Sequence, residues 1–251
     1  KQLKNQTYQN FKLIVVDDAS DDGTFEEVLV QYQKEIRDKK MFLLKNETNL
    51  GVSASRNLAV RYDSEASWVA FLDSDDEWME HKLQKQVDFL VGHPESQIIH
   101  GEEIWVRNGK RVNPKLKHAK SGGHIFKRCI DLCLISPSAV FIKKSFFNDC
   151  GGFNEDYPVC EDYDLWLTMT AKTSVGFVET PLLKKYGGHA DQLSRKFPAM
   201  DYYRVLSLGR FLDGHSLEEE TLQKLCQVIV KKSDILFVGN KKRGDSKDFS
   251  K

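Results

Sequence analysis

The sequence lacks the features of a membrane-spanning protein and of a protein that binds nucleic acid through its overall charge. None of its apolar runs approaches the ~18–20 residues that a bilayer-spanning helix needs. Its 37 basic and 37 acidic residues cancel, so no strong overall field attracts a polyanion. We therefore expect no nucleic-acid partner and, if the protein meets a membrane, a peripheral contact only.

Cysteine is also scarce. The five cysteines in 251 residues are an odd number without a signal peptide, which argues against a disulfide-bonded secreted protein. Cys129 and Cys133 have no second pair or histidine cluster at zinc-site spacing, so we interpret them as ordinary buried thiols. These features predict a cytoplasmic protein, with contact at the inner face of the membrane left open. The length suits one large α/β domain or two small ones.

The sequence does contain an apolar stretch, residues 68–72, that ends in the acidic residues Asp73, Asp75, Asp76 and Glu77. An apolar run followed by carboxylates is typical of a buried strand that ends at a site, because strand ends in an α/β sheet open into the ligand crevice. Neighbouring carboxylates repel one another unless a cation shares them, and hard divalent metals prefer oxygen ligands. The stretch predicts a metal site or a solvated turn that caps the next helix. We assign Asp76 to that helix start.

The first hundred residues alternate between strand-like and helix-like patterns. Apolar runs at residues 11–16, 41–44 and 68–72 are each followed by a segment with helical spacing of apolar residues. Because short loops join them, this order predicts a mostly parallel sheet covered by helices. The first strand also ends in carboxylates, Asp17 and Asp18. We expect the two acidic strand ends to face one crevice.

The helix predicted over residues 52–62 is a candidate anion-binding element. It follows Gly51, its first turn contains Ser53 and Ser55, and Arg56 comes next. Free backbone N–H groups at a helix start attract anions, and a guanidinium adds a fixed positive fork. The sequence leaves open the alternative of a closely packed helix with Arg56 in solvent.

The second half of the chain contains three further candidates. Between residues 107 and 128 every acidic or basic side chain is basic, which suggests an anionic neighbour such as a diphosphate or lipid headgroup, or else a well-solvated loop. Glu161 and Asp162 precede an apolar helical stripe, where the helix dipole favours an ionised carboxylate that can act as a base. His189, in a polar loop, is a candidate metal or phosphate ligand.

These motifs form an ordered set. The set comprises Asp17-Asp18-Ala19-Ser20, Asn49-Leu50-Gly51, Ser55-Arg56-Asn57, Phe71-Leu72-Asp73-Ser74-Asp75-Asp76, Gly151-Gly152-Phe153, Glu161-Asp162 and a His-x-x-Gln-x-Ser loop that starts at His189. Over about residues 1–195 it resembles the family 2 glycosyltransferases of the GT-A type. The resemblance implies a GT-A (Rossmann-like) α/β fold, a mostly parallel sheet flanked by helices, with a C-terminal helical extension.

The resemblance also implies roles at a nucleotide-sugar site. Asp18 matches the family residue that hydrogen-bonds the base of the nucleotide. Asp73 matches the family residue that lies near the ribose. Asp75 matches the ligand of Mg²⁺ or Mn²⁺ in the Asp-x-Asp motif. We add Arg56 and Glu161 to the nucleotide-sugar-binding set.

For the reaction, the resemblance implies that Asp162 is the general base and that His189 reaches the metal or the diphosphate. The metal would neutralise the leaving phosphate, and a one-step attack inverts the anomeric centre. The predicted function is a metal-dependent inverting hexosyltransferase in cell-surface polysaccharide synthesis, with a UDP-sugar as the favoured donor and a glycan or lipid-linked acceptor. The alternatives are a non-catalytic sugar-nucleotide binder, an inactive truncated fragment and a nucleotidyltransferase that releases pyrophosphate.

The resemblance divides the chain into three parts. Residues 1–100 are the nucleotide-sugar-binding half, residues 101–195 the acceptor-binding and catalytic half, and residues 196–251 C-terminal helices with a tail. From Gly239 onward the tail is charged, and we expect it to be disordered. In the family a first strand and helix precede the segment that is here residues 6–11. We therefore expect a central strand to be missing, which would leave an unpaired sheet edge.

Overall fold

In the computed structural model, the described residues are 2–188, 197 and 199–243. The strands are β1 (Leu13–Asp17), β2 (Met41–Lys45), β3 (Trp68–Val69), β4 (Glu77–Trp78), β5 (Ile98–Arg107), β6 (Lys110–Val112), β7 (Phe141–Lys143) and β8 (Gly176–Gly187). The α-helices are α1 (Thr24–Gln31), α2 (Gln33–Arg37), α3 (Val52–Tyr62), α4 (Lys82–Gly92), α5 (Phe126–Asp131), α6 (Lys144–Asp149), α7 (Glu161–Lys172), α8 (Met200–Gly214) and α9 (Glu219–Arg243).

The strands pair in two sheets. β1 and β2 are parallel, with Leu13 opposite Met41. The larger sheet has the order β3-β7-β5-β8-β4, with β6 paired to β5. Within it β5 and β8 are parallel, whereas the other pairs are antiparallel. The larger sheet is therefore mixed and not mostly parallel, because the strand–helix alternation of the first hundred residues does not continue into the second half.

The local predictions for the first hundred residues agree closely with the structure. The helix predicted over residues 52–62 is α3, and the apolar run at 41–44 is β2. The run at 68–72 is a regular strand only over Trp68–Val69. Its remainder leaves the sheet and leads into the acidic turn.

The C-terminal prediction needs a correction. The sequence predicts disorder from Gly239 onward, but α9 continues to Arg243, so the prediction is wrong for residues 239–243, and residues 244–251 lie outside the described residues. Helix propagation adds one hydrogen bond for each residue, and lysine and arginine are good helix formers, so a charged end can extend a helix that packing has already started. In the part of the chain that the structure describes, no helix has both the length and the apolar character needed to cross a bilayer.

The larger core joins both halves of the chain to the C-terminal helices. Phe71, which precedes the acidic turn, packs edge-on against Phe153, with 5.2 Å between ring centroids. The same buried cluster contains Trp166 of α7, Leu208 of α8 and Leu225 of α9. The C-terminal helices therefore contribute to the core that supports the acidic turn and the start of α7.

Candidate active site

The acidic turn after β3 gathers three carboxylates. Asp73, Asp75 and Asp76 each offer an oxygen within 4.8 Å of the others. A hydrogen bond from Asp76 N to Asp73 O, 3.1 Å long, closes the turn. Asp73 N donates to Oγ of the buried Ser138 over 3.0 Å. The second half of the chain therefore anchors the turn that the first half supplies.

Asp76 does not start a helix, contrary to the sequence assignment. It directly precedes β4, whereas α4 begins at Lys82. Because β4 pairs with β8, Asp76 is drawn into the sheet, where it is buried and its Oδ1 accepts a hydrogen bond from Tyr186 N (3.1 Å). Burial, reinforced by the charges of Asp73 and Asp75, raises the pKa of Asp76 to about 6. Closely spaced carboxylates of this kind fit a hard divalent cation such as Mg²⁺ or Mn²⁺.

Arg56 connects the acidic turn to the start of α7. Its Nη2 donates to Asp73 Oδ1 over 2.5 Å, and its Nη1 donates to Glu161 Oε1 over 2.7 Å. The guanidinium lies 5.0 Å from the centroid of the Phe153 ring, and the side chain is 12% exposed. The alternative with Arg56 in solvent is therefore wrong. Three of the predicted nucleotide-sugar-site residues are brought into contact.

The charges around Arg56 do not balance. One guanidinium serves two carboxylates, those of Asp73 and Glu161. Burial and the neighbouring charge of Asp162 raise the pKa of Glu161 to about 7, although Arg56 acts in the opposite direction. The start of α7 therefore holds a carboxyl group that gains or loses its proton near neutral pH.

Asp162, the predicted base, has a contact that the sequence did not indicate. Its Oδ2 accepts a hydrogen bond from the thiol of Cys133, with 3.3 Å between the oxygen and Sγ. Burial and the nearby Asp162 carboxylate raise the pKa of Cys133, which keeps the thiol protonated as a donor. Cys133 is therefore more than the ordinary buried thiol predicted, because it holds one oxygen of Asp162.

Asp18 lies at the entrance to α3 and binds the loop in front of it. Its Oδ1 accepts hydrogen bonds from Leu50 N (2.9 Å) and Asn46 Nδ2 (2.7 Å), and its Oδ2 accepts one from Gly51 N (2.8 Å). Gly51 has a φ of 88°, which glycine adopts without strain. The Asp18 carboxylate thus fixes the loop that leads to Arg56. Its contact with a nucleotide base stays a prediction.

Lys185 is a charged residue of the site that sequence analysis missed. Its Nζ donates to Ser136 Oγ over 2.8 Å. Burial would lower the pKa of Lys185, but the charges of Glu103, Asp76 and Asp162 raise it. The sequence did indicate a buried lysine in β8. Neighbouring residues in a strand point to opposite faces, so one of the consecutive residues Lys184 and Lys185 must point inward.

His189, the predicted second metal or diphosphate ligand, lies outside the described residues. The described chain reaches Gly188, just beyond the end of β8 at Gly187. The placement of His189 relative to the acidic turn therefore stays a prediction.

Comparison with known proteins identifies related sequences. The family model described as Glycosyl transferase family 2 matches residues 1–149. The UDP-Glc:alpha-D-GlcNAc-diphosphoundecaprenol beta-1,3-glucosyltransferase WfgD of Escherichia coli is 33% identical over 177 residues, which cover 69% of this chain and 63% of WfgD. The chain thus spans a little under two thirds of this relative.

Solved structures share the fold. The crystal structure of S. aureus TarS 1-349 in complex with UDP matches with a TM-score of 0.67 and 23% identity, covering 91% of this chain and 64% of TarS 1-349. The mannosyltransferase PcManGT from Pyrobaculum calidifontis, in complex with GDP-Man and Mn²⁺, matches with a TM-score of 0.63 and 13% identity, covering 98% of this chain and 75% of PcManGT. The predicted GT-A fold class is confirmed.

Proposed function

Because this chain belongs to glycosyl transferase family 2, we propose that it moves a sugar from a nucleoside-diphosphate donor to a hydroxyl group of a glycan or lipid-linked acceptor, with inversion at the anomeric carbon. The observation that carries the proposal is the Arg56 guanidinium, which bonds Asp73 of the acidic turn and Glu161 of α7. The acidic turn and the start of α7, which carries the proposed base Asp162, therefore meet at one site.

The relatives support a UDP-sugar as donor. The name of WfgD specifies UDP-Glc as its donor and a diphosphoundecaprenol-linked GlcNAc as its acceptor, and TarS 1-349 was solved with UDP. We propose the same classes of donor and acceptor for this chain, in the synthesis of a cell-surface polysaccharide. Residues 1–100 would bind the donor, and residues 101–195 would bind the acceptor.

On the donor side, we assign Asp18 to the nucleotide base and Asp73 to the ribose. Arg56 and Glu161 border the same space, because Arg56 bonds both Asp73 and Glu161. The loop that Asp18 fixes leads directly into α3. The position of Arg56 on that helix is therefore set by the same residue that is proposed to recognise the base.

Asp75, with Asp76 and His189, would hold Mg²⁺ or Mn²⁺ at the acidic turn. Such an ion supplies positive charge beside the diphosphate and favours its departure as a leaving group. A cation would also favour the ionised form of the buried Asp76, whose pKa burial raises to about 6. Lys185 adds a fixed positive charge that acts on Asp76 and Asp162 alike.

On the acceptor side, Asp162 takes the proton of the attacking hydroxyl group. As the acceptor oxygen bonds to the anomeric carbon, the bond from that carbon to the phosphate oxygen breaks, and the nucleoside diphosphate leaves with the electron pair. Base catalysis of this kind contributes ~10²–10⁴-fold. The Cys133 thiol donates to Oδ2 of Asp162, and Tyr163 N donates to Oδ1 over 2.7 Å, so both oxygens of the proposed base are held in position.

The proposal is tested by two substitutions with one control. With UDP-glucose, Mn²⁺ and a diphosphate-linked GlcNAc acceptor, Asp162→Asn should reduce kcat by ~10²–10⁴-fold while calorimetry shows nearly unchanged donor binding. Asp75→Ala should abolish the Mn²⁺-dependent part of donor binding and turnover. The control, Asp156→Asn, changes an exposed carboxylate and should leave both unaltered.

The products separate the proposed function from its rivals. Release of UDP together with a glycosylated acceptor supports the transferase. Release of pyrophosphate would identify a nucleotidyltransferase. Tight donor binding without turnover, across a panel of nucleotide sugars, would identify a binding protein, and full activity in Asp75→Ala would refute the assigned metal ligand.

A further inference from the structure

A basic hairpin lies beside the site and has no part in the proposed reaction. β5 and β6 are joined by Asn108 and Gly109, whose φ angles of 50° and 74° are those of a tight hairpin turn. A short 3-10 turn, Leu116–His118, follows β6. We call residues 107–117 the basic hairpin. Its cationic side chains are all exposed: Arg107, Lys110, Arg111, Lys115 and Lys117.

These five cations differ from the other basic residues nearby. Lys120 lies 3.0 Å from Glu103 and Lys127 lies 2.6 Å from Glu220, while Arg128 donates to Ala119 O over 2.6 Å. Within the described part of the chain, by contrast, no ion pair joins a cation of the basic hairpin to a carboxylate. The hairpin therefore presents positive charge that no carboxylate of the described residues neutralises through an ion pair.

The charges of the basic hairpin act together on the residue at its base. Burial lowers the pKa of His118, and the charges of Lys117, Lys120 and Lys115 lower it further. This positive field is local, because the 37 basic and 37 acidic residues of the chain cancel. Its complement is an extended anionic surface.

An exposed apolar side chain lies in the 3-10 turn that follows β6. Leu116 is 92% exposed and lies between Lys115 and Lys117. A leucine flanked by lysines is suited to the boundary between lipid headgroups and acyl chains, where the apolar side chain inserts and the cations meet phosphates. A soluble anion offers no apolar layer for Leu116, and residues 107–117 contain no aromatic side chain on which a nucleic-acid base could stack. The side-chain pattern therefore favours a bilayer as the partner.

The basic hairpin also begins at the edge of the candidate active site. In the β5–β8 pair, Val106 lies opposite Tyr186 and Arg107 lies opposite Gly187. Tyr186 N donates to Asp76 of the acidic turn. The hairpin thus leaves the sheet next to the strand position that contacts the acidic turn, and a surface bound by the hairpin would border the site.

We propose that the basic hairpin docks this protein on an anionic bilayer, with Leu116 inserted among the headgroups and the five cations against lipid phosphates. The inference deepens the proposed function and rests on it, because a lipid-linked acceptor would then be met at the rim of the site. Each lysine near an anionic bilayer strengthens binding about fivefold.

The test measures co-sedimentation of the full chain, without donor, with vesicles of phosphatidylglycerol and phosphatidylcholine or of phosphatidylcholine alone. We expect binding to the anionic vesicles that weakens as salt is added, because the Debye length shortens. The double variant Lys115→Ala, Lys117→Ala should bind about 25-fold more weakly. Leu116→Ser should also weaken binding, and this loss should persist at high salt.

The matched control is Lys34→Ala with Lys85→Ala, which removes two exposed lysines from α2 and α4 and should bind like the wild type. The proposal would be overturned if the wild type bound both vesicle types equally, or if the control lost as much binding as the double variant. It would also be overturned if Leu116→Ser had no effect and the wild type bound single-stranded RNA as well as it binds anionic vesicles. UDP release with a water-soluble acceptor is measured separately. If the wild type binds vesicles but releases no UDP, this result would count against the proposed function and not against the docking of the basic hairpin.

Discussion

Three buried carboxyl groups around the site have different pKa values because different charges face them. Burial alone would raise the pKa of Glu103, but Lys120 and Lys185 lower it to about 2. Burial, reinforced by the charges of Asp73 and Asp75, raises the pKa of Asp76 to about 6, although Lys185 acts in the opposite direction. Glu161 shares a single guanidinium with Asp73, and its pKa is raised to about 7. The number of cations near each carboxylate, and not its burial alone, decides its protonation.

The raised pKa of Glu161 predicts a pH-dependent stability. Between pH 4.5, its ordinary pKa, and about pH 7 the folded chain binds more protons at this residue than the unfolded chain. Its contribution to the free energy of unfolding is therefore highest below pH 4.5 and falls by on the order of 3 kcal/mol as the pH rises to about 7. We expect urea midpoints, measured with EDTA from about pH 5 to about pH 8, to show a smaller fall in Glu161→Gln than in the wild type. Equal pH dependence in the two proteins would contradict the assignment.

At the scale of elements, α3 depends on a contact with the segment before α7. Asn57 Nδ2 donates to Phe153 O over 2.8 Å, and Asn57 Oδ1 accepts from Phe153 N over 3.0 Å. Both side chains are buried. The asparagine thereby fixes the aromatic ring on which Arg56 rests, so one turn of α3 sets the position of both the guanidinium and its support.

Asn57→Ala would leave the buried N–H and C=O groups of Phe153 without their partner. We expect the free energy of unfolding to fall by about 3 kcal/mol, because each unsatisfied buried group costs ~1–3 kcal/mol. The control on the same helix is Arg61→Ala, which removes only the exposed ion pair with Glu155 and should cost less than ~1 kcal/mol. Urea unfolding gives the free energy of unfolding of both variants. Equal losses would contradict the prediction that the buried Asn57 contact contributes more to stability than the exposed ion pair.

At the scale of the whole molecule, the C-terminal helices share the core of the catalytic region. Leu225 of α9 is fully buried in the cluster that contains Trp166 of α7. We predict a single cooperative unfolding transition, which Leu225→Ala should shift as a whole with a loss of about 3 kcal/mol from the cavity it creates. Val230→Ala, at a position 60% exposed on the same helix, should change stability by less than ~0.5 kcal/mol. Two separate transitions, with only one moved by Leu225→Ala, would show that the helices fold independently.

Much of the fold and part of the site follow from local sequence patterns. The bounds of α3 and the acidic stretch at Asp73 and Asp75 were predictable, because the spacing of apolar residues in a helix and the carboxylates after a strand involve only residues that are close in sequence. Asp76 was misassigned because its burial depends on β8, which follows it by about a hundred residues. Cys133 and Lys185 were missed for the same reason. Their contacts join distant segments, and a single sequence does not show which segments are adjacent in space.

The sharing of Arg56 between Asp73 and Glu161 has a consequence for the order in which two substrates bind. A donor that draws Asp73 away from the guanidinium would leave Glu161 as its sole partner and lower the pKa of that carboxyl group, which changes the charge that an incoming acceptor meets. By thermodynamic reciprocity, an acceptor would then alter the affinity for the donor by the same factor. One arginine side chain thus links the charge of Asp73 to that of Glu161, and this link would couple the two binding events.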